Sequence, residues 1–285
     1  MRPATPLQYL QLNLAILFIS TSGVLGRWIP LPPELTIFWR SFLAIPFLAL
    51  FLLLTKQPLN FTKRWSLPLV VAGVFLGTHW VTYFYALQWS NVAIGMLSLF
   101  TFPVITACLE PLFLKTKFKW RHLFLGGLTL IGIYFLVPSF ALAKTHGAAV
   151  ALGIFSALCY ALRNLILKSA VKEANGSQLM LSQVIVIALC FSPFLSVEKI
   201  EMSFGVWEAL LTLGLLTTVI GHSLFLYSLS YFSVTTASII SSVQPLYGIV
   251  IAYFVLGEVP HWGVYVGGGL IIFSVIIESI QARQH

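Results

Sequence analysis

About ten apolar stretches, each long enough to cross a lipid bilayer, follow one another along the 285 residues. A hydrocarbon core of ~30 Å takes about 20 apolar residues per helix. Only 8% of the chain is charged, 59% is apolar and aspartate is absent, so too little polar surface exists to wrap a water-soluble fold. The expectation is an all-α membrane protein of ten transmembrane helices.

The spans read as 7–26, 34–54, 66–88, 91–115, 121–139, 147–169, 177–196, 204–230, 234–256 and 260–281. Pro30, Pro32 and Pro33 separate the first two, and Lys56 to Arg64 with Pro58 separate the next pair. The run Lys115, Lys117, Lys119, Arg121 closes the fourth. Between Ser90 and Asn91 only a tight turn fits. One set of alternate loops holds Arg2, Lys56, Lys63, Arg64, Lys115, Lys117, Lys119, Arg121, Lys168, Lys172 and Arg283; the other holds Arg27, Lys144 and Lys199. That bias puts both termini in the cytoplasm. Cations in short inner loops face anionic headgroups, so the basic balance does not argue for nucleic acid.

Arg2 and the apolar run after it resemble a signal peptide, but no convincing cleavage site follows, and the first segment reads as a retained span. Cys108, Cys159 and Cys190 all fall within spans without metal or redox spacing, and read as packing residues. No phosphate loop, metal cluster or nucleophile–base pair is present, so neither an enzyme, a cofactor, a metal nor ATP-driven transport is expected.

Sliding the chain against itself by 142 residues aligns its halves. Pro103 then meets Pro245, Trp120 meets Trp262, and Gly126-Gly127 meets Gly268-Gly269. Tyr85 and Leu87 meet Tyr227 and Leu229, while His79 falls one position from His222. A shift of 136 brings Ser20 and Arg27 onto Ser156 and Arg163. The repeats run 1–141 and 142–285. Five helices per half send the second copy into the membrane from the opposite side, giving two inverted repeats, the architecture of alternating access.

These features carry a resemblance. Ten spans in a five-plus-five duplication, Pro103 and Pro245 in the fourth and ninth spans, Arg40 early in the second, and Gly257-Glu258 closing the ninth resemble the ten-helix, EamA-type branch of the drug/metabolite transporter superfamily. The resemblance implies a secondary carrier of small metabolites, amino-acid exporters among them, with a central cavity lined by the third, fourth, eighth and ninth helices. One departure stands out: Thr116 occupies the place of Glu258 in the first half.

Ionisable side chains inside a membrane are costly, at ~2.5–3.5 kcal/mol on insertion scales. Five of those within spans are singled out: Arg40, His79, Glu110, Arg163 and His222. His79 and His222 fit a substrate or proton path, or else interhelical hydrogen bonding. Arg40 could take a carboxylate through its fork of donors, or snorkel outward. Arg27 and Arg163 read as anchors at helix C-termini, Glu110 as an ion-pair partner of the Lys115 cluster, and Glu278 as an interface residue. Pro103 and Pro245 each free a carbonyl four residues earlier, which either lines a cavity or merely kinks the helix. Gly73, Gly77, Gly263 and Gly267 are spaced for close helix approach.

The expected substrate-binding residues are Arg40, His79, Trp80, Tyr83, Ser98, Phe102, His222, Tyr227, Ser241 and Gln244, with Pro103 and Pro245 as helix breaks. Rings with few charges favour amino acids, aromatic ones ahead, over sugar nucleotides. The functional expectation is an exporter of amino acids or related compounds in the cell inner membrane. Its partners would be a small-molecule substrate, membrane lipid and a coupled proton or counter-substrate. Two alternatives stand beside it: a multidrug exporter of lipophilic compounds, and a non-transport membrane sensor or lipid-handling protein.

Overall fold

The computed structural model describes residues 4–57, 67–90, 92–136, 147–171, 173–196, 202–256 and 259–282. Several sequence expectations fall outside them: the turn at Asn91, the Gly257-Glu258 pair, the division at 141/142, and the loop cations Arg2, Lys63, Arg64, Lys144, Lys172, Lys199 and Arg283. The Arg27 side chain lies outside them too.

Every regular element among the described residues is helical. In chain order these are α1 (Pro6–Trp28), α2 (Pro33–Leu54), α3 (Leu67–Trp89), α4 (Val92–Leu99), α5 (Phe102–Leu114), α6 (Trp120–Leu136), α7 (Gly147–Ala170) and α8 (Gly176–Phe191). A short 3₁₀ turn, Ser192–Ser196, extends α8. After it come α9 (Phe204–Thr212), a π-helical stretch (Leu213–His222), α10 (Ser223–Ser228), α11 (Val234–Ser241), α12 (Gln244–Leu256) and α13 (Trp262–Ala282). Joined across their breaks, they make ten apolar segments. Eight are long and apolar enough to cross a membrane, and α6 is a shorter apolar helix. In α1, Gln8, Gln11 and Asn13 dilute the hydropathy.

Local chemistry sets the helix ends. Thr5 N–H donates to Gln8 Oε1 at 2.7 Å before α1, and Asn175 and Gln178 exchange bonds of 2.9 and 3.2 Å at the start of α8. Both are reciprocal side-chain caps for otherwise unpaired amides. Ser233 Oγ accepts from Thr236 N at 3.0 Å to open α11. The fourth and ninth spans are divided in two rather than merely kinked. Pro103 stands in the first turn of α5 and Pro245 in that of α12, where a missing N–H is tolerated.

The polarity is that of a membrane protein. Leu54, Leu112, Phe204 and Phe254 are exposed, while Arg40 and Arg163 are among the largest fully buried side chains. The helix contacts come in pairs that exchange the halves: α3 lies on α7 as α1 lies on the π-helical stretch, and α2 packs on α8 and α6 on α13. Glycines repeat the correspondence. A Cβ on Gly126 would meet Val104 at 3.0 Å, and one on Gly268 would meet Leu246 at 3.3 Å, with 142 residues separating both members of each pair. The spaced glycines do serve packing. Gly73 lies against Val186, Gly77 against Ile187 and Phe191, Gly263 against Phe135 O and Gly267 against Gly132 O.

Candidate functional site

Arg40 lies two turns into α2 and is only 1% exposed. It does not snorkel. Its Nε donates to Thr218 Oγ1 at 2.7 Å and its Nη2 to Thr217 Oγ1 at 2.8 Å, both in the π-helical stretch. The guanidinium carbon stands 3.7 Å above the Trp80 ring of α3, a cation–π contact strengthened by exclusion of water. His222, at the end of the π-helical stretch, lies 5.3 Å ring to ring from Trp80, and its Nδ1 is buried without a hydrogen-bond partner.

His79 is anchored from across the molecule. Ser156 Oγ of α7 donates its one proton to His79 O at 2.8 Å, and the same oxygen lies 2.8 Å from His79 Nδ1. Nδ1 is then the donor in that contact, which fixes the tautomer. The imidazole is stacked on Tyr160 at 4.5 Å, and Tyr83 lies 6.3 Å away on the same helix as His79.

These groups surround a narrow cavity that opens to the outside. Seven of the ten residues expected from sequence line it: Arg40, His79, Trp80, Tyr83, Phe102, His222 and Gln244. Phe84 and Phe100 add rings, and Ile19, Ser22, Leu99 and Tyr160 complete the wall. The lining thus draws on α1, α2, α3 and the α4–α5 break from one half, and on α7, the π-helical stretch and α12 from the other. The remaining three expected residues stand elsewhere. Ser98 donates to Ile94 O and packs against Gly153 of α7, Ser241 donates to Ala237 O at 2.7 Å, and Tyr227 pairs with Tyr231 at 2.8 Å.

Arg163 is not an end anchor. It is fully buried, with Nε on Gln183 Oε1 at 2.7 Å, Nη1 on Asn164 Oδ1 at 2.8 Å and Nη2 facing Met180 Sδ at 3.8 Å. Its partners are all neutral. Glu110 makes no ion pair with Lys115. Its carboxylate accepts from Val234 N at 3.0 Å and Thr235 N at 2.9 Å, capping α11 from α5.

Glu110 belongs to a polar ring at one end of the bundle. Lys168 Nζ donates to Leu229 O and, at 2.6 Å, to Phe232 O, gripping the turn before α11. Glu278 is buried, accepts from Thr236 Oγ1 at 2.7 Å, and faces Arg121 Nη2 at 3.3 Å and His122 Nε2 at 3.4 Å. Thus α7 holds the turn between α10 and α11, α5 and α13 hold the first residues of α11, and α6 joins through Glu278. Sequence spacing did not reveal this ring because its partners lie far apart in the chain. Among the described residues no cluster of His, Cys, Asp or Glu could hold a metal ion.

A crystal structure of a protein superposes with a TM-score of 0.85 over 99% of both chains at 15% identity, a likeness of fold. An uncharacterized transporter of Archaeoglobus fulgidus is 28% identical over 69% of this chain and 70% of its own. The uncharacterized transporters YdfC and YxxF of Bacillus subtilis are 25% and 24% identical over 88% and 96% of this chain, and 83% and 90% of theirs. The EamA-like transporter family matches twice, over residues 7–137 and again over 147–280. With apolar helices throughout and that double match, the chain is a multi-pass membrane protein of the EamA-like transporter family.

Proposed function

We propose that the protein is a secondary active carrier that moves small metabolites by alternating access. Its halves, 1–141 and 142–285, act as two inverted five-helix repeats rocking about a shared chamber. The observation that carries this reading is the central cavity, whose polar groups come from both halves: Arg40 and His79 from one, His222 and Gln244 from the other. The twice-matched family and the exchange-paired helix contacts support it.

By the distribution of lysine and arginine, the ring around the α10–α11 turn faces the cytoplasm. In the carrier reading it holds that side closed and separates when the chamber turns inward. The substrates are amino acids or related compounds, and the direction is export across the cell inner membrane, coupled to a proton or a counter-substrate. Purified protein in liposomes tests this directly. Saturable, counterflow-competent flux of one class from a broad metabolite panel is expected, and leakage indistinguishable from empty liposomes refutes it.

A second reading has one observation in its favour. The ring-rich lining of Trp80, Tyr83, Phe84, Phe100, Phe102 and Tyr160 would suit lipophilic compounds in general. It fits lipophilic cations poorly, because a guanidinium already occupies the wall.

A further inference from the structure

The charge of the chamber narrows its substrate class. Arg40 and Arg163 are both buried, and every hydrogen-bond partner of either is neutral. Among the described residues, the ion pairs lie only at Glu278, outside the cavity wall. A buried cation without a counter-charge is unfavourable unless something else supplies the anion. Arg40 also has donors to spare. Nε and Nη2 are engaged with Thr218 and Thr217, and among the described residues Nη1 has no acceptor. Beside it across Trp80 stands His222, whose buried Nδ1 is unpartnered. One corner of the chamber thus holds a guanidinium with a donor to spare beside an unpartnered imidazole nitrogen, and the rest is walled by rings.

We infer that the chamber takes an organic monoanion: a carboxylate seated against Arg40 Nη1 and His222, with an aromatic or bulky apolar body among Tyr83, Phe102 and Tyr160. This rests on the carrier reading and narrows its amino acids and related compounds to the related carboxylates that carry no cationic group. A zwitterion of the same skeleton binds more weakly, since its ammonium sits in the field of two uncompensated guanidiniums. Its available partners are neutral groups such as Ser22 and Gln244. A multivalent phosphate would bring more charge than one half-engaged guanidinium balances, and a cation is repelled.

Four probes of one shape decide the matter by calorimetry on the full chain in lipid nanodiscs: 3-phenylpropanoate, phenylalanine, 3-phenylpropanamide and phenethylammonium. The anion should bind tightest and the cation weakest, with the anion at least about tenfold ahead of the amide, the difference made by one charge-assisted hydrogen-bond pair. Arg40→Gln should erase that lead, weakening the anion far more than the amide. Inorganic phosphate should not displace the anion. The inference is overturned if the amide or cation equals the anion, if the zwitterion exceeds it, or if no probe binds. Should Arg40→Gln not fold, the four-probe order on the unaltered chain still decides. Liposome flux separates the two ideas. Anion-selective binding without saturable flux sinks the carrier and keeps the assignment, whereas saturable flux blind to charge does the reverse.

Discussion

Replacing Glu110 by Gln isolates the grip on the α10–α11 turn. The first amides of a helix have no partner within it. At α11 those of Thr236 and Ala237 are satisfied by Ser233, leaving Val234 and Thr235 to Glu110 alone, at 3.0 and 2.9 Å. Hydrogen bonds to a charged acceptor contribute about 1.5–3 kcal/mol each. A carboxylate at a helix N-terminus adds roughly 0.3–1 kcal/mol. Gln keeps one oxygen for one amide but turns an NH₂ group toward the other and loses the charge. The net cost is then about 2–3 kcal/mol, or roughly 30- to 150-fold in the opening of this turn. Hydrogen–deuterium exchange of peptides spanning residues 233–238 reads that opening. Exchange at Val234 and Thr235 should accelerate by that factor in the variant, while peptides at the α6–α13 contact keep their wild-type rates. Unchanged exchange at the two amides would mean that burial protects them and the carboxylate does not, and the reasoning would fail.

The two histidines should separate under substitution. His222→Ala should lower thermal stability less than the change at His79, because it loses ring packing but no Nδ1 hydrogen bond, yet abolish saturable flux. His79→Ala forfeits the Ser156 contact and the stack on Tyr160 and should cost about 2–3 kcal/mol, seen as a lowered melting midpoint in detergent. Equal behaviour of the two variants would contradict their assigned surroundings. Gly267→Val should prevent folding, since even its Cβ would stand 2.2 Å from Gly132 O, whereas Gly269→Ala, with nothing within 4 Å, should be neutral or stabilising by up to about 1 kcal/mol. Folded yield by size-exclusion chromatography distinguishes them.

The spans were legible in the sequence because proline runs and charge clusters punctuate them. The divided fourth and ninth spans were legible through Pro103 and Pro245. Seven of the expected cavity residues share one wall because ionisable and aromatic groups at mid-depth have few other places to go. The misses have physical causes. Ser98 and Ser241 turn their hydroxyls onto the carbonyls four residues back in their own helices, which satisfies them without a cavity. Glu110 was read against the nearest sequence charge, but its partners lie 124 and 125 residues away. Arg163 finds Gln183 and Met180 on α8, a neighbour no local pattern announces. Ile19, Leu99 and Tyr160 look like ordinary core, and only packing puts them on the chamber.

The π-helical stretch was equally hidden, and it explains how Arg40 is held. Successive side chains on an α-helix diverge by about 100°, so neighbouring threonines do not naturally serve one guanidinium. A π-helix closes its bonds one residue later and is wider, so each residue turns through a smaller angle. Thr217 and Thr218 can then face the same group. Gly214 and Gly221 let the widened helix approach: a Cβ on the first would lie 3.3 Å from Arg40 O, and one on the second 2.8 Å from the Ile19 side chain. Thr217 passes its own proton to Leu213 O at 2.5 Å, leaving its oxygen free to accept from the guanidinium. Both threonines should therefore count. Thr217→Val and Thr218→Val should each lower unfolding free energy by about 1.5–3 kcal/mol, the scale of a hydrogen bond from a charged donor. Because they engage different nitrogens of a single guanidinium, the double variant should approach the sum, less a coupling of up to about 1 kcal/mol. A silent substitution at either position would mean that only one threonine reaches Arg40, as an ordinary α-helix requires, and the role given to the widened helix would be lost.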